Sequence, residues 1–356
     1  MARALRLAER GRYSAHPNPV VGCVLVKQGE IVGEGWHQVA GAAHAEINAL
    51  HAAGDNARGA TAYVTLEPCA HHGKTPPCST ALIEAAVGKV VAAMQDPNPA
   101  VAGNGLRSLQ EAGILVQCGL MQSSAEALNP GFLKRMRVKR PFVRLKLAAS
   151  LDGATAMLNG ESQWITGPEA RADVQRLRAR SGAVMTGIGT VLADDPSLTV
   201  RAPDIAGHDQ QPVRVVLDSK LRMPRAAGML TLPGKTLICC AGNVDSKALQ
   251  AASTEVLSFG TASEGDGVDV DKVLQELAAR DINEVLVEAG PTLAGFLLQN
   301  GLVDELVIYQ AAHIMGSQTR KLVDTSTWTA LADRKSLNIT DVRRIGDDTR
   351  ITALLS

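Results

Sequence analysis

His44, two positions before Glu46, and the cysteines at 69 and 78 bring together the residue types that a hydrolytic metal site needs. One imidazole and two thiolates leave a tetrahedral zinc ion one open position, which separates a catalytic site from a closed structural one. Zinc so held lowers the pKa of bound water and makes hydroxide available near neutrality. Glu46 sits beside the ligands without being needed as one, as a group passing a proton from water to a departing amine must. His-x-Glu followed by Pro68-Cys69 fits hydrolytic loss of an amino group from a base. The second cysteine, however, follows the first by nine positions instead of closing a Cys-x-x-Cys.

The interval His71-His72-Gly73-Lys74-Thr75-Pro76-Pro77 reads either as added binding equipment, with Lys74 a phosphate partner, or as a plain loop extension. In His16-Pro17-Asn18-Pro19-Val20-Val21-Gly22 the prolines fix the approach, and the Asn18 amide could read a pyrimidine edge. Two segments in the second half run strand, glycine turn, helix: Thr186-Gly187-Ile188-Gly189-Thr190 and Val287-Glu288-Ala289-Gly290-Pro291-Thr292. Such turns bring backbone amides to a phosphate. Leu192 occupies the third glycine position of the dinucleotide fingerprint, so only the pair together favours a nucleotide site. Arg176, Arg178 and Arg201 could meet a sugar phosphate or simply face solvent.

The elements that must position these residues alternate in type. Strands are expected over 20–27 and 30–36, around Gln28-Gly29, then at 60–66, 89–94 and 114–117. Helices are expected over 43–53, 79–87 and 106–112, which places the motif residues at strand ends and helix starts of a layered α/β domain. Around Gln122 to Pro141 a polar helix, an Asn129-Pro130-Gly131 break and the basic run Lys134 to Arg140 read as a junction, the run as a solvated linker face. Domains are therefore expected at 1–139 and 140–356. In the second, strands are expected at 142–148, 183–185, 213–217, 236–240, 284–287, 305–309 and 350–355, with helices at 168–180, 270–279 and 292–299.

Chain-wide properties narrow the function classes. At 356 residues, two domains are the natural expectation. Lys plus Arg number 36, as do Asp plus Glu, so the basic excess of a nucleic-acid binder is missing. Aromatics at 3% leave few stacking platforms. No apolar run reaches the length of a membrane span, and the first ten residues form an amphipathic helix pattern, not a signal peptide. The cysteines at 23, 118, 239 and 240 read as buried structural thiols in a reducing cytoplasm.

Together these residues resemble the RibD family of bifunctional deaminase–reductases of riboflavin biosynthesis. The likeness is carried by Pro17-Asn18-Pro19, His44-Ala45-Glu46 and Pro68-Cys69 through Cys78. In the second half it continues through Lys146 to Gly153, Trp164-Ile165-Thr166, Ala193-Asp194-Asp195-Pro196 and Glu288-Ala289-Gly290-Pro291. The resemblance implies an α/β chain: a cytidine-deaminase-like three-layer domain followed by a dihydrofolate-reductase-like domain. It implies hydrolytic deamination of a diaminopyrimidinone ribosylamino phosphate, then NADPH reduction of the ribosyl group of the aminouracil product to ribityl. His44, Cys69 and Cys78 would hold Zn2+, with Glu46 the proton carrier and Asn18, His37, His71 and Lys74 on the deaminase substrate. NADPH would be lined by Ala148, Trp164, Thr190, Asp194, Ser219, Gly290, Pro291, Thr292, Leu293, Ala294, Gly295 and Phe296. Ser162, Arg178, Leu198, Arg201 and Glu288 would hold the second substrate. Ala154 departs from the pattern, since the family often has Lys or Arg there. The partners expected are small pyrimidine ribotides, with no nucleic acid or membrane, in a homo-oligomer. A nucleic-acid-editing deaminase and a non-catalytic zinc module are the rival readings.

Overall fold

The structure, a computed structural model, describes residues 1–70, 77–99, 101–205, 207, 209–242, 247, 249–260, 267–325 and 328–355. The chain divides into two compact units, Met1–Arg140 and Pro141–Ser356.

The first unit runs α1 (Ala2–Glu9), β1 (Gly22–Lys27), β2 (Glu30–Trp36), α2 (Ala45–Ala53), β3 (Thr61–Val64), α3 (Cys78–Glu84), β4 (Lys89–Ala92), α4 (Asn104–Glu111), β5 (Leu115–Cys118), α5 (Gln122–Leu128) and α6 (Pro130–Val138). Its sheet has the order β2-β1-β3-β4-β5, with β1 antiparallel to both neighbours and β3, β4 and β5 parallel. Period-2 alternation along β1 makes the layers. Cys23 and Leu25 pack with Ala45, Ala49 and Ala53 of α2, Leu82 of α3 and Leu109 of α4. Val24 points the other way, against Ala4 and Leu7 of α1. Helix α2 can press this close because β2 offers glycine: a β-carbon on Gly35 would stand 2.4 Å from the Ala45 carbonyl oxygen. That contact fixes the height at which His44 and Glu46 stand.

The junction falls at the end of the basic run, between Arg140 and Pro141, and the run itself is half-buried to exposed, but most of it is helical. Pro130, placed where a helix tolerates a missing N–H, starts α6, whose buried Phe132 and Leu133 join Leu5, Leu66, Ala93 and Met94 in one cluster. One expectation about thiols also fails. Cys23, Cys239 and Cys240 are buried, but Cys118 is exposed, because β5 is an edge strand with only one covered neighbour.

The second unit contains β6 (Phe142–Ala149), β7 (Ala154–Met157), α7 (Pro168–Ala179), β8 (Ala183–Gly187), α8 (Ile188–Asp194), β9 (Val213–Leu217), β10 (Thr236–Cys240), β11 (Thr254–Ser258), α9 (Val270–Ala279), β12 (Glu284–Glu288), α10 (Pro291–Gln299), β13 (Glu305–Gln310), β14 (Thr319–Lys321), β15 (Leu337–Ile345) and β16 (Asp348–Leu355). Its main sheet has the order β11-β10-β9-β8-β12-β6-β13-β16-β15; pairing is parallel from β11 to β13 and antiparallel beyond. Strands buried on both faces explain the continuous apolar runs. Leu145, Met185, Val215 and Val287 meet α9 and α10, while Val184, Val216 and Leu286 meet α7 and α8. From β8 the chain steps outward through β9, β10 and β11, then returns with β12 between β8 and β6. The order reverses there, which in open parallel sheets puts the ligand crevice at the carboxyl ends of β8 and β12.

Candidate active sites

In the first unit, His44 is the residue that caps α2, Glu46 lies in that helix's first turn, and Cys78 opens α3. Cys69 comes off the chain just beyond β3. His44 Nδ1 is 3.2 Å from Cys78 Sγ and 3.6 Å from Cys69 Sγ, and the Cys78 N–H donates to Cys69 Sγ at 3.3 Å. All three ligand atoms lie within 4.8 Å of one another. Zinc bonds of about 2.0–2.1 Å to nitrogen and 2.3 Å to sulfur give nitrogen–sulfur tetrahedral edges of about 3.5 Å, so the spacing fits.

The electrostatics fit as well. A hydrogen bond from the Cys78 thiol, reinforced by His44, lowers Cys69 to about 4, while His44 is raised, chiefly by its bond to Cys69. Cys78 is raised, by that shared bond and then by burial. Burial, with the Cys69 charge added, pushes Glu46 up to about 7.

His37 is 2% exposed and both of its ring nitrogens are engaged. Nδ1 faces the Ala43 carbonyl at 3.1 Å, and Nε2 faces Asn18 Nδ2 at 3.0 Å. A carbonyl only accepts, so Nδ1 carries the proton; Nε2 then accepts from the Asn18 amide, which leaves Asn18 Oδ1 as the free acceptor. Burial lowers the His37 pKa, which keeps this neutral tautomer. His71 and Lys74 lie outside the described residues.

Two supporting residues were missed in the sequence. Glu67, 3% exposed, accepts backbone N–H groups from Asp96, Gly103, Gly105 and Leu106 at 2.9–3.2 Å, tying the segment before Cys69 to the start of α4. Asn129 exchanges two hydrogen bonds with the Val20 backbone, at 2.8 and 2.9 Å, and so holds the Asn18 approach. Adjacency of Glu67 to Pro68-Cys69 was a signal; nothing local marked Asn129.

In the second unit, Glu288 ends β12 and meets Arg178 of α7 through two bonds, Nε to Oε1 at 2.6 Å and Nη2 to Oε2 at 3.0 Å. Arg178 also donates to the Thr199 carbonyl at 3.0 Å, beside the buried Leu198. Arg201 donates its guanidinium to Ser197 Oγ and its N–H to Gln175 Oε1. Burial would raise Glu288, but the charges of Arg178, Lys146 and Arg201 outweigh it and hold it below the usual carboxylate range. Lys146 is the cross-strand register partner of Glu288 on β6. The structure therefore assembles Arg178, Leu198, Arg201 and Glu288, and adds Lys146 to them.

Some of the residues expected around a cofactor lie at or just after the carboxyl ends of the strands. Ala148 lies near the carboxyl end of β6, Thr190 and an exposed Asp194 lie on α8, and Ser219 follows β9. Gly290 caps α10, which carries Pro291, Thr292, Leu293, Ala294, Gly295 and Phe296. Leu293 Cδ2 is 3.6 Å from where a Gly187 β-carbon would sit, so the start of α10 abuts the end of β8. Trp164 is 69% exposed, with the Arg171 guanidinium 4.6 Å from its ring centre, and Ser162 is half-buried nearby in the chain. Ala154 is buried opposite Lys321 of β14, a cation on the neighbouring strand.

Comparison with known proteins matches both units. The pattern described as the cytidine and deoxycytidylate deaminase zinc-binding region covers residues 1–94, and that described as the RibD C-terminal domain covers 141–351. Riboflavin biosynthesis protein RibD of Escherichia coli K12 is 52% identical over 98% of this chain and 96% of its own. A solved RibD structure from Acinetobacter baumannii superposes with a TM-score of 0.92 at 44% identity, covering 100% of this chain and 97% of that one. The Thermotoga maritima diaminohydroxyphosphoribosylaminopyrimidine deaminase/5-amino-6-(5-phosphoribosylamino)uracil reductase gives 0.88 at 32% identity, with the same coverage.

Proposed function

The chain belongs to the RibD family, and from that membership we propose how its own residues divide the two reactions of a bifunctional riboflavin-biosynthesis deaminase and reductase. The deaminase domain is of the zinc-binding kind, and the reductase domain of this family depends on NADPH. The observation that carries the reading is the convergence of His44, Cys69 and Cys78 beside a buried Glu46.

His44, Cys69 and Cys78 hold the metal, and a zinc ion there supplies the Lewis acidity that makes water a nucleophile at neutral pH. Glu46 takes a proton from the attacking water and returns it to the leaving ammonia, a task for a buried carboxyl beside the metal ligands. Asn18 presents Oδ1 to a ring N–H, and His37 keeps that amide from turning over instead of touching the ring itself. His71 and Lys74 complete the substrate contacts.

In the reductase, NADPH supplies the two electrons and hydrogen of the ribosyl reduction. Thr190, Asp194, Ser219 and the Gly290 to Phe296 turn line it, with Ala148 and Trp164 at the nicotinamide end. Arg178, Arg201, Leu198, Ser162 and Glu288 hold the ribotide, the arginines taking its phosphate. Lys321, facing Ala154, supplies the cation that the family often carries at that position. The chain works in the cytoplasm as a homo-oligomer; Leu337, Ile339 and Val342, 43–59% exposed on edge strand β15, support association through apolar surface.

Anaerobic incubation with the diaminopyrimidinone ribotide tests the reading, following NADPH absorbance and product masses. Ammonia release with NADPH oxidation and a ribityl product is expected. Unchanged substrate with zinc bound would overturn it.

A further inference from the structure

We infer that Gln175 and Gln211 are positioning residues of the reductase: they clamp the backbone at Val200 and Arg201 and so aim Arg201 at the ribotide. The inference rests on the reading above, in which Arg201 takes the ribotide phosphate.

The segment that delivers Arg201 bends against the preference of its own residues. Asp195 and Leu198 take left-handed φ values of 38° and 48°. Residues with side chains keep that conformation only where their surroundings hold them in it. The holders are side chains from elsewhere in the unit. Asp195 Oδ1 accepts the Gly228 N–H at 2.9 Å, and the Thr199 carbonyl accepts Arg178 at 3.0 Å. At Val200, Gln211 Oε1 accepts the N–H at 2.8 Å while Gln211 Nε2 donates to the carbonyl at 3.0 Å. The Arg201 N–H then donates to Gln175 Oε1 at 2.8 Å.

Val200 is 5% exposed, so its peptide groups need partners, and no strand pairs with it. A glutamine amide offers a donor and an acceptor side by side, and here it serves as a neighbouring strand would. Val200 and Gln211 are eleven positions apart, so the double bond pair closes the base of the loop that leaves at Arg201 and re-enters the sheet at β9. Gln211 is itself braced. A β-carbon on Gly234 would stand 2.9 Å from Gln211 Cβ, and buried Arg214 fixes that glycine's loop through the Pro233 and Gly234 carbonyls at 2.7 and 2.8 Å. Gln175 stands one turn before Arg178 on α7, so a single helix face holds both arginines of the site. Arg201 is exposed, and packing therefore does not set its direction. Its backbone, and the bond of its guanidinium to Ser197 Oγ, must do so.

Steady-state reduction of the aminouracil ribotide by the full chain tests this, with Gln211→Leu and Gln175→Leu as separate variants. Each should raise the ribotide KM roughly three- to tenfold, the worth of one or two neutral hydrogen bonds, with kcat and the NADPH KM unmoved. Arg201→Ala should raise the same KM at least as far. In that background the glutamine variants should add nothing, since they act through Arg201. A full further rise there, an unchanged ribotide KM in both single variants, or a parallel loss of kcat and NADPH affinity would each overturn the positioning role. If one variant does not fold, as read from its melting curve, the other carries the same test from a different element. An unchanged ribotide KM in Arg201→Ala would instead remove the phosphate reading, and this inference with it.

Discussion

Gly105 lies directly beneath Pro68: its N–H bonds Glu67 Oε1 at 2.9 Å, and a β-carbon there would stand 1.9 Å from the Pro68 carbonyl oxygen. The first turn of α4 and the segment that delivers Cys69 are thus in contact with no space between them. Gly105→Ala must displace Pro68 or the helix, at about 1–3 kcal/mol. A lowered melting temperature together with reduced zinc content is expected; an unchanged melting temperature would show that the contact yields freely.

On the function proposed above, Glu46 moves protons and stands outside the group His44, Cys69 and Cys78. Glu46→Gln should keep zinc stoichiometry while lowering deamination about 10²- to 10⁴-fold. Metal analysis beside an ammonia assay checks it, and wild-type turnover in that variant would sink the assigned role.

Cys69→Ser removes a metal ligand from the first unit only. Ammonia release should disappear and zinc should fall to background, while NADPH oxidation with the aminouracil ribotide continues. Parallel loss of the second activity would contradict the division of labour between residues 1–140 and 141–356.

The interior of the second unit carries its own charge cluster. Arg144, 0% exposed, meets Glu284 at 2.9 Å and also Glu305, and Arg180 approaches Glu284 at 3.2 Å. Burial alone would raise Glu284, yet Arg180 and Arg144 outweigh it and lower it to about 2. A depressed carboxylate stabilises the fold above its ordinary value near 4.5 and loses that contribution as pH falls through about 2. Glu284→Gln should therefore cost ~1.5–3 kcal/mol at pH 7, because Arg144 keeps Glu305 but loses one of its two carboxylates, and Arg180 loses this one. The difference from wild type should narrow steadily between pH 4.5 and 2. Denaturant titrations at several pH values would reveal a constant difference if the pair were unimportant.

The chemistry was legible in the sequence because its residues sit within short, strongly typed stretches: His44 and Glu46 span one helix start, and Cys69 and Cys78 bracket one loop. The central strands were legible too, since burial on both faces leaves continuous apolar runs such as Val213 to Leu217. What escaped was either exposed or remote. β15 is almost entirely solvent-facing and is interrupted by a register shift between Ile339 and Asp341, so neither alternation nor apolarity marks it. Helix α6 was hidden because its basic residues outnumber the two apolar side chains that anchor it. Glu67 and Asn129 work through backbone groups far along the chain, and no local pattern encodes such partners.

The placement of β6 bears on how the chain is made. Strand Phe142–Ala149 is flanked by β12 and β13, and neither exists before Glu284 has been synthesised. On a ribosome adding about 5–20 residues per second, the first unit can close while this strand waits on the order of ten seconds with both edges bare. Such a strand is a template for wrong pairing during that interval. Crowded synthesis, slow codons between 150 and 284, or a shortage of chaperone should therefore harm the yield of the second unit before that of the first.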